Sequence, residues 1–109
     1  MKLITRFSDG TLAVKLEGEI DEHSVIDIRR RADEAIEAHA FADRAIFYLG
    51  GVSFMDSTGI GFLIGRYKKL RRFGIRAYIS GPDPTADKIL TMSGVYTLIP
   101  KINDEEDRL

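Results

Sequence analysis

The chain has 109 residues, 44% of them hydrophobic and 30% charged, with a net charge of −1 and no cysteine. That is the composition of one ordinary globular domain; it excludes disulfides and thiolate metal sites, and it carries no electrostatic footprint for nucleic acid. No apolar run approaches the roughly 18 residues of a spanning helix, and Met1-Lys2-Leu3-Ile4 lacks the anatomy of a signal peptide, so a cytoplasmic domain with neither membrane nor nucleic-acid partners is expected.

Leu3 to Phe7 reads as a short strand, Asp9-Gly10 as a hairpin turn, and Leu12 to Gly18 as a second strand with Leu12, Val14 and Leu16 on one face. The polar stretch from Gly18 to Ser24 reads as a loop. A helix from about Ser24 to His39 puts Val25, Ile28, Ala32, Ala35 and Ile36 on one stripe and Arg29, Arg30, Asp33 and Glu37 away from it, with Asp21 or Ser24 as its cap. Arg44 to Leu49 is the continuous apolar run of a strand buried on both faces. Gly50-Gly51 breaks that run, and Val52-Ser53-Phe54 reads as a short buried connection. A second helix runs from near Ser57 to about Phe73, with Gly74 where a terminating glycine belongs. Arg76 to Ile79 is a strand, and Ser80-Gly81-Pro82 turns the chain. Asp83-Pro84 opens a third helix over Thr85 to Ser93, which Gly94 ends. Leu98 to Ile102 reads as an edge strand, because Pro100 cannot donate to a ladder. The acidic tail, Asn103 to Leu109, frays or begins one helical turn.

This β-β-α-β-α-β-α-β order predicts a single α/β domain over residues 1–109. Its sheet is mixed, largely parallel after an N-terminal hairpin, and covered by helices.

The segment from Ile46 to Leu70, a strand running into a glycine-rich helix start, concentrates the functional signal. Asp56 or Ser57 is the N-cap of the second helix. At 100° per residue, Ile60, Leu63, Ile64, Tyr67 and Leu70 form a core side, and Thr58, Gly61, Phe62, Gly65 and Lys69 form the opposite side. Two glycines one turn apart each cost about 0.5–1 kcal/mol in a helix interior. A smooth face for a partner, with Phe62 as an anchor, is therefore favoured over close packing of another helix of the same chain. Helix N-termini stabilise anions, so a phosphate on Ser57 would be tolerated by the domain while adding about −1.5 to −2 charges to its surface. Asp56, with Asp21 and Glu22 if their loop lies at the same sheet end, would complete an acidic cluster.

Other chemistries fit poorly. Gly59-Ile60-Gly61-Phe62-Leu63-Ile64-Gly65 has G-x-G-x-x-x-G spacing, and no acid closes the next strand, so a dinucleotide fingerprint is weak. No P-loop is present. Ser57, His23 and Asp21 could be written as a hydrolase triad, but Met55-Asp56-Ser57-Thr58-Gly59 is not a G-x-S-x-G elbow. No catalytic residue, metal or cofactor is expected.

Phe54-Met55-Asp56-Ser57-Thr58-Gly59-Ile60-Gly61, followed by Gly65-Arg66-Tyr67-Lys68, resembles the signature of the STAS-domain anti-sigma factor antagonists, the sporulation type above all. Gly18-Glu19-Ile20-Asp21 with His23, and Met92-Ser93-Gly94, resemble two further family segments. The resemblance implies a STAS fold and a phosphorylation-switched binding protein. Unphosphorylated, such a protein binds an anti-sigma factor that is also an ATP-dependent serine kinase, and so frees a sigma factor. A PP2C-type phosphatase reverses the modification. Carried over, Ser57 is the phosphoacceptor, with Asp56, Asp21, Thr58 and Gly59 as its neighbours. Gly61, Phe62, Gly65, Glu22 and His23 belong to the partner surface. Thr58 stands where many members have a second serine and keeps a hydroxyl. The short tail after Ile102 implies that the family's last helix is curtailed or absent. The alternative is a STAS-type regulatory or nucleotide- and anion-binding module in which Ser57 is not phosphorylated.

Overall fold

A computed structural model describes residues 1–104. Its elements are β1 (Lys2–Ser8), β2 (Thr11–Ile20), α1 (Val25–Ala38), β3 (Arg44–Met55), α2 (Ser57–Arg72), β4 (Arg76–Ser80), α3 (Pro84–Ser93) and β5 (Lys101–Ile102), with a 3-10 turn at Val95–Thr97. The strands lie in the order β1-β2-β3-β4-β5. β1 pairs antiparallel with β2, and every other neighbour is parallel. This is the expected α/β architecture, with a mixed sheet after an N-terminal hairpin.

Alternation along the strands decides which side chains meet the helices. Leu12, Val14 and Leu16 of β2, Phe47 and Leu49 of β3 and Ile79 of β4 point to one face. There they pack with Val25, Ile28 and Ile36 of α1 and Phe62, Leu63 and Leu70 of α2 in one core. Ala13, Ile46 and Tyr48 point to the other face and form a smaller buried cluster with Tyr78 and Ile102 against it. The unbroken apolar run of β3 thus reflects burial on both faces. Tyr48 carries its hydroxyl into that second face, where it donates to Asp104 Oδ1 at 2.8 Å.

Three boundaries depart from the sequence reading. β3 continues through Gly50-Gly51 to Met55, so Val52-Ser53-Phe54 is strand rather than a buried connection, with Ser53 and Phe54 exposed. β2 likewise extends to Ile20, and the two strands stay paired as Glu17↔Gly51, Gly18↔Val52, Glu19↔Phe54 and Ile20↔Met55. The glycines are accommodated because the ladder shifts register twice here, between Lys15 and Glu17 and between Gly18 and Glu19. A Cβ on Gly51 would lie 2.7 Å from Glu17 Cγ, so any other residue there would force the Glu17 side chain of β2 to shift. The last strand shrinks to Lys101–Ile102: Leu98 and Ile99 close the 3-10 turn, and Pro100 contributes only its carbonyl, which accepts from Ile79 N–H at 3.0 Å. The fate of the tail beyond Asp104, including any last helix, lies outside the described residues.

The third helix starts as its sequence requires, with Asp83 Oδ1 accepting from Ala86 N–H at 2.8 Å and Pro84 in the first turn. α2 ends in a Schellman motif. Gly74 adopts φ +72°, its N–H donates to Arg71 O, and Ile75 N–H donates to Leu70 O, both at 3.0 Å. Leu70 and Ile75 are both buried in the main core.

Candidate functional site: the Asp56-Ser57 corner

Because β2 and β3 run parallel and finish together at Ile20 and Met55, the loops that follow them emerge side by side at one end of the sheet. One loop carries Asp21, Glu22 and His23; the other is Asp56 leading into α2. The condition attached to the acidic cluster is therefore met.

Asp56 is the N-cap of α2. Its backbone is extended (φ −124°, ψ −161°), and its Oδ1 accepts from Thr58 N–H at 2.8 Å. Its carbonyl accepts from Gly59 and Ile60 N–H at 3.0 and 3.3 Å. This settles which residue caps the helix and frees the other. Ser57 sits at the first helical position, exposed, and among the described residues its Oγ has no hydrogen-bond partner. Thr58, by contrast, is half-buried. α2 has no acid in its first turn and Lys69, Arg71 and Arg72 in its last, so its dipole is complemented at the C-terminal end and open to an anion at the N-terminal end.

Asp21 has a local task. Its Oδ1 accepts from His23 N–H and Ser24 N–H, both at 3.0 Å, and its carbonyl accepts from Val25 N–H, which nucleates α1. The Ser24 amide, followed by that of His23, holds the Asp21 carboxyl below its ordinary value. A depressed native pKa makes this support fully present above the ordinary carboxylate value of 3.8 and lost only as pH falls below it. His23 is exposed and lies 4.0 Å from Glu22, with no hydrogen bond to Ser57, so the three residues of a hydrolytic triad are not assembled.

The glycines of α2 divide. A Cβ on Gly59 would lie 2.5 Å from Met55 Cγ and 3.3 Å from Ile20 Cγ2, so glycine lets the helix start sit against the ends of β2 and β3. Around Gly61 and Gly65 a Cβ would meet nothing within 4 Å. Among the described residues neither glycine serves another helix of the same chain, and both stand on an open face of α2.

Phe62 does not belong to that strip. It is 2% exposed, edge-on to Phe47 with ring centroids 6.4 Å apart. Arg66, one turn on, is also buried, 5.2 Å above the Phe62 ring, with its Nε 2.8 Å from Asp33 Oδ1. That contact is a charge pair without hydrogen-bond alignment, because both atoms lack a satisfied hydrogen bond. Burial pushes the Arg66 guanidinium below its ordinary value, with Asp33 opposing the shift. Lys69 Nζ, a further turn along, donates to Glu37 Oε1 at 2.6 Å. Phe62 and Lys69, assigned to the solvent side of α2 with Gly61 and Gly65, thus lie toward α1 instead, where Asp33 and Glu37 meet Arg66 and Lys69.

Two exposed apolar residues at the site's end of the sheet were not singled out. Phe54 is 48% exposed and Ile26 71%. Ile26 was legible, because it lies about 100° off the buried stripe of α1. Phe54 was hidden by reading its strand as a connection.

The family model for the STAS domain matches residues 2–108. The chain belongs to the STAS domain family. An anti-sigma F factor antagonist of Lysinibacillus sphaericus is 35% identical over 106 residues, covering 97% of this chain and 87% of that relative. Among solved structures, the anti-sigma factor antagonist SpoIIAA in its unphosphorylated form superposes with a TM-score of 0.79 at 29% identity, covering 96% of this chain and 91% of that one. The Bacillus cell fate determinant SpoIIAA in its phosphorylated form superposes at 0.71 and 29% identity, covering 96% and 95% of the two chains. This STAS domain therefore shares its architecture with a protein known in two phosphorylation states.

Proposed function

We propose that this STAS domain is an anti-sigma factor antagonist that docks through the Asp56-Ser57 corner and is released when Ser57 is phosphorylated. One observation carries the reading: Asp56 performs the capping, which leaves Ser57 Oγ exposed and unbonded at a helix N-terminus. A hydroxyl with no structural task can accept a phosphoryl group without loss of a cap, and the helix dipole favours the resulting charge. The partner is an anti-sigma factor that acts as the ATP-dependent serine kinase, a PP2C-type phosphatase restores the binding form, and the cycle takes place in the cytoplasm. Among the described residues no helix is long and apolar enough to cross a membrane. The docking surface combines Gly61 and Gly65 with Glu22, His23, Ile26 and Phe54; Phe62 lies beneath it.

Incubation with ATP and the cognate anti-sigma factor is expected to add one phosphoryl group by intact mass, mapped to Ser57 and absent from Ser57→Ala. Modification of Thr58, or none at all, would overturn the assignment. In the latter case saturable nucleotide binding in calorimetry would favour an anion-binding STAS module instead.

The glycines give an independent check with opposite signs for stability and binding. Gly61→Ala and Gly65→Ala are each expected to stabilise the domain by about 0.5–1 kcal/mol, since a methyl group enters open space and alanine is the better helix former. Both should weaken capture of the anti-sigma factor. Gly59→Ala is expected to lose about 1–3 kcal/mol by overpacking against Met55 and Ile20. Denaturant titration beside a binding titration separates the outcomes. Unchanged affinity in Gly61→Ala and Gly65→Ala would remove the strip from the interface.

A further inference from the structure

We propose that the groove between the C-terminal end of α2 and the start of β4 is a second site, which binds a small organic monoanion with a flat apolar body. The groove encloses about 370 Å³ and is lined by Tyr67, Arg71, Arg76, Tyr78, Leu98 and Pro100, with Gly74 at its mouth. That volume lies within the range of small-molecule sites. It is the chemistry of the lining that identifies the occupant.

Arg71 and Arg76 are both exposed, and among the described residues neither guanidinium has a carboxylate within ion-pair distance. Several other cations of the chain are paired. Arg30 and Arg31 pair with Asp27, Arg66 with Asp33, Lys69 with Glu37 and Lys101 with Asp87. Nor is the Arg71 guanidinium needed to close its helix, because the Schellman bonds from Gly74 and Ile75 already satisfy the last-turn carbonyls of Leu70 and Arg71. Two planar forks without a carboxylate partner in one groove match a carboxylate.

The rest of the lining is largely apolar and aromatic. Tyr67 and Tyr78 are half-buried, and among the described residues their hydroxyls have no hydrogen-bond partner, so each offers a ring face and a free donor. Leu98 is 41% exposed on the same groove. At Gly74 a Cβ would meet nothing within 4 Å, so the mouth is open. The adjoining cleft, which shares Arg76 and Tyr78, also carries Asp9 and Asp43. These carboxylates, beside Arg44 on the same cleft, weigh against a highly charged polyanion. α2 has 16 residues and spans roughly 24 Å at 1.5 Å per residue, so the groove and Ser57 occupy opposite ends of one helix. Occupancy here is separate from the phosphorylation switch.

Titration of the full chain with 1-naphthoate, followed by amide chemical shifts, tests the site. Saturable shifts are expected at Gly74 to Tyr78 and at Leu98, with neutral 1-naphthamide at least about tenfold weaker. Arg71→Gln and Arg76→Gln should each weaken 1-naphthoate by about tenfold with the melting temperature moving by no more than a few degrees, since both side chains are exposed and only Arg71 contributes, at the end of α2, to the helix dipole. Ser57→Ala should bind 1-naphthoate as the parent does. Absence of saturable shifts, equal affinity for the neutral amide, indifference to both arginine substitutions, or shifts centred on Thr58 at the other end of α2 would each overturn the proposal.

Discussion

Ser57→Asp is expected to lower affinity for the anti-sigma factor by roughly a hundredfold, about 2.7 kcal/mol, while leaving the melting temperature of the free domain nearly unchanged. The two halves of that expectation have separate causes. Within the domain, position 57 is exposed and opens α2, where a carboxylate meets the positive end of the helix dipole and gains about 0.3–1 kcal/mol. No hydrogen bond is lost in exchange, because Ser57 Oγ makes none among the described residues and the cap is provided by Asp56 Oδ1 on Thr58 N–H. At the interface the balance reverses. A charge beside Asp56, at the sheet end that also carries Asp21 and Glu22, must be desolvated against a surface fitted to a neutral hydroxyl, and like-charge juxtaposition at an interface costs several kcal/mol. Ser57→Ala should bind with affinity close to the parent and resist the kinase. Calorimetric titration of the three proteins against one anti-sigma factor reads both halves. Tight binding by Ser57→Asp would remove Ser57 as the switch, and a large fall in its melting temperature would show that the hydroxyl has a structural task after all.

How far the chain could be read in advance follows from which signals are local. The start of α3 and the end of α2 were legible, since Asp83-Pro84 and the glycine at 74 act within a few residues of themselves. So was the burial of β3, because Ala45 to Leu49 has no polar alternation to place one face in water. The continuation of β3 past Gly50-Gly51 was not legible. Two adjacent glycines weaken a strand in isolation, and here they are held by a partner, β2, whose register shifts and whose Glu17 lies across Gly51. At the corner, local chemistry named Asp56 and Ser57 but could not apportion their roles. Either side chain could have capped the helix; the observed Asp56 bond to Thr58 N–H decided it.

The phasing of α2 failed for a related reason, and it leads to the largest expected loss of stability. A single apolar stripe suits a helix with one neighbour, but α2 has two: the sheet, which takes Leu63 and Leu70, and α1, which takes Arg66 and Lys69 through Asp33 and Glu37. Phe62 lies within this doubly covered sector, buried beneath Arg66 and edge-on to Phe47. Phe62→Ala is therefore expected to destabilise the domain by about 3–5 kcal/mol, the range for deleting a buried aromatic ring, through lost transfer energy and the cavity left behind. The neighbours can relax only partly. Phe47 is held in the central strand, and Arg66 would settle onto a void with no ring beneath its guanidinium. A loss of that size lowers the melting temperature of a domain this small by more than about 10 °C. Affinity for the anti-sigma factor, measured well below the transition, should stay within a few-fold of the parent, because the ring does not reach the surface. The measurement separates two origins of weak capture. If Phe62→Ala keeps its melting temperature but loses binding by more than about 1 kcal/mol, then Phe62 is an interface anchor and its burial is not the state that meets the partner. If the melting temperature falls while the folded protein still binds, the smooth strip of Gly61 and Gly65 rests on a core residue that holds α2 against both of its neighbours.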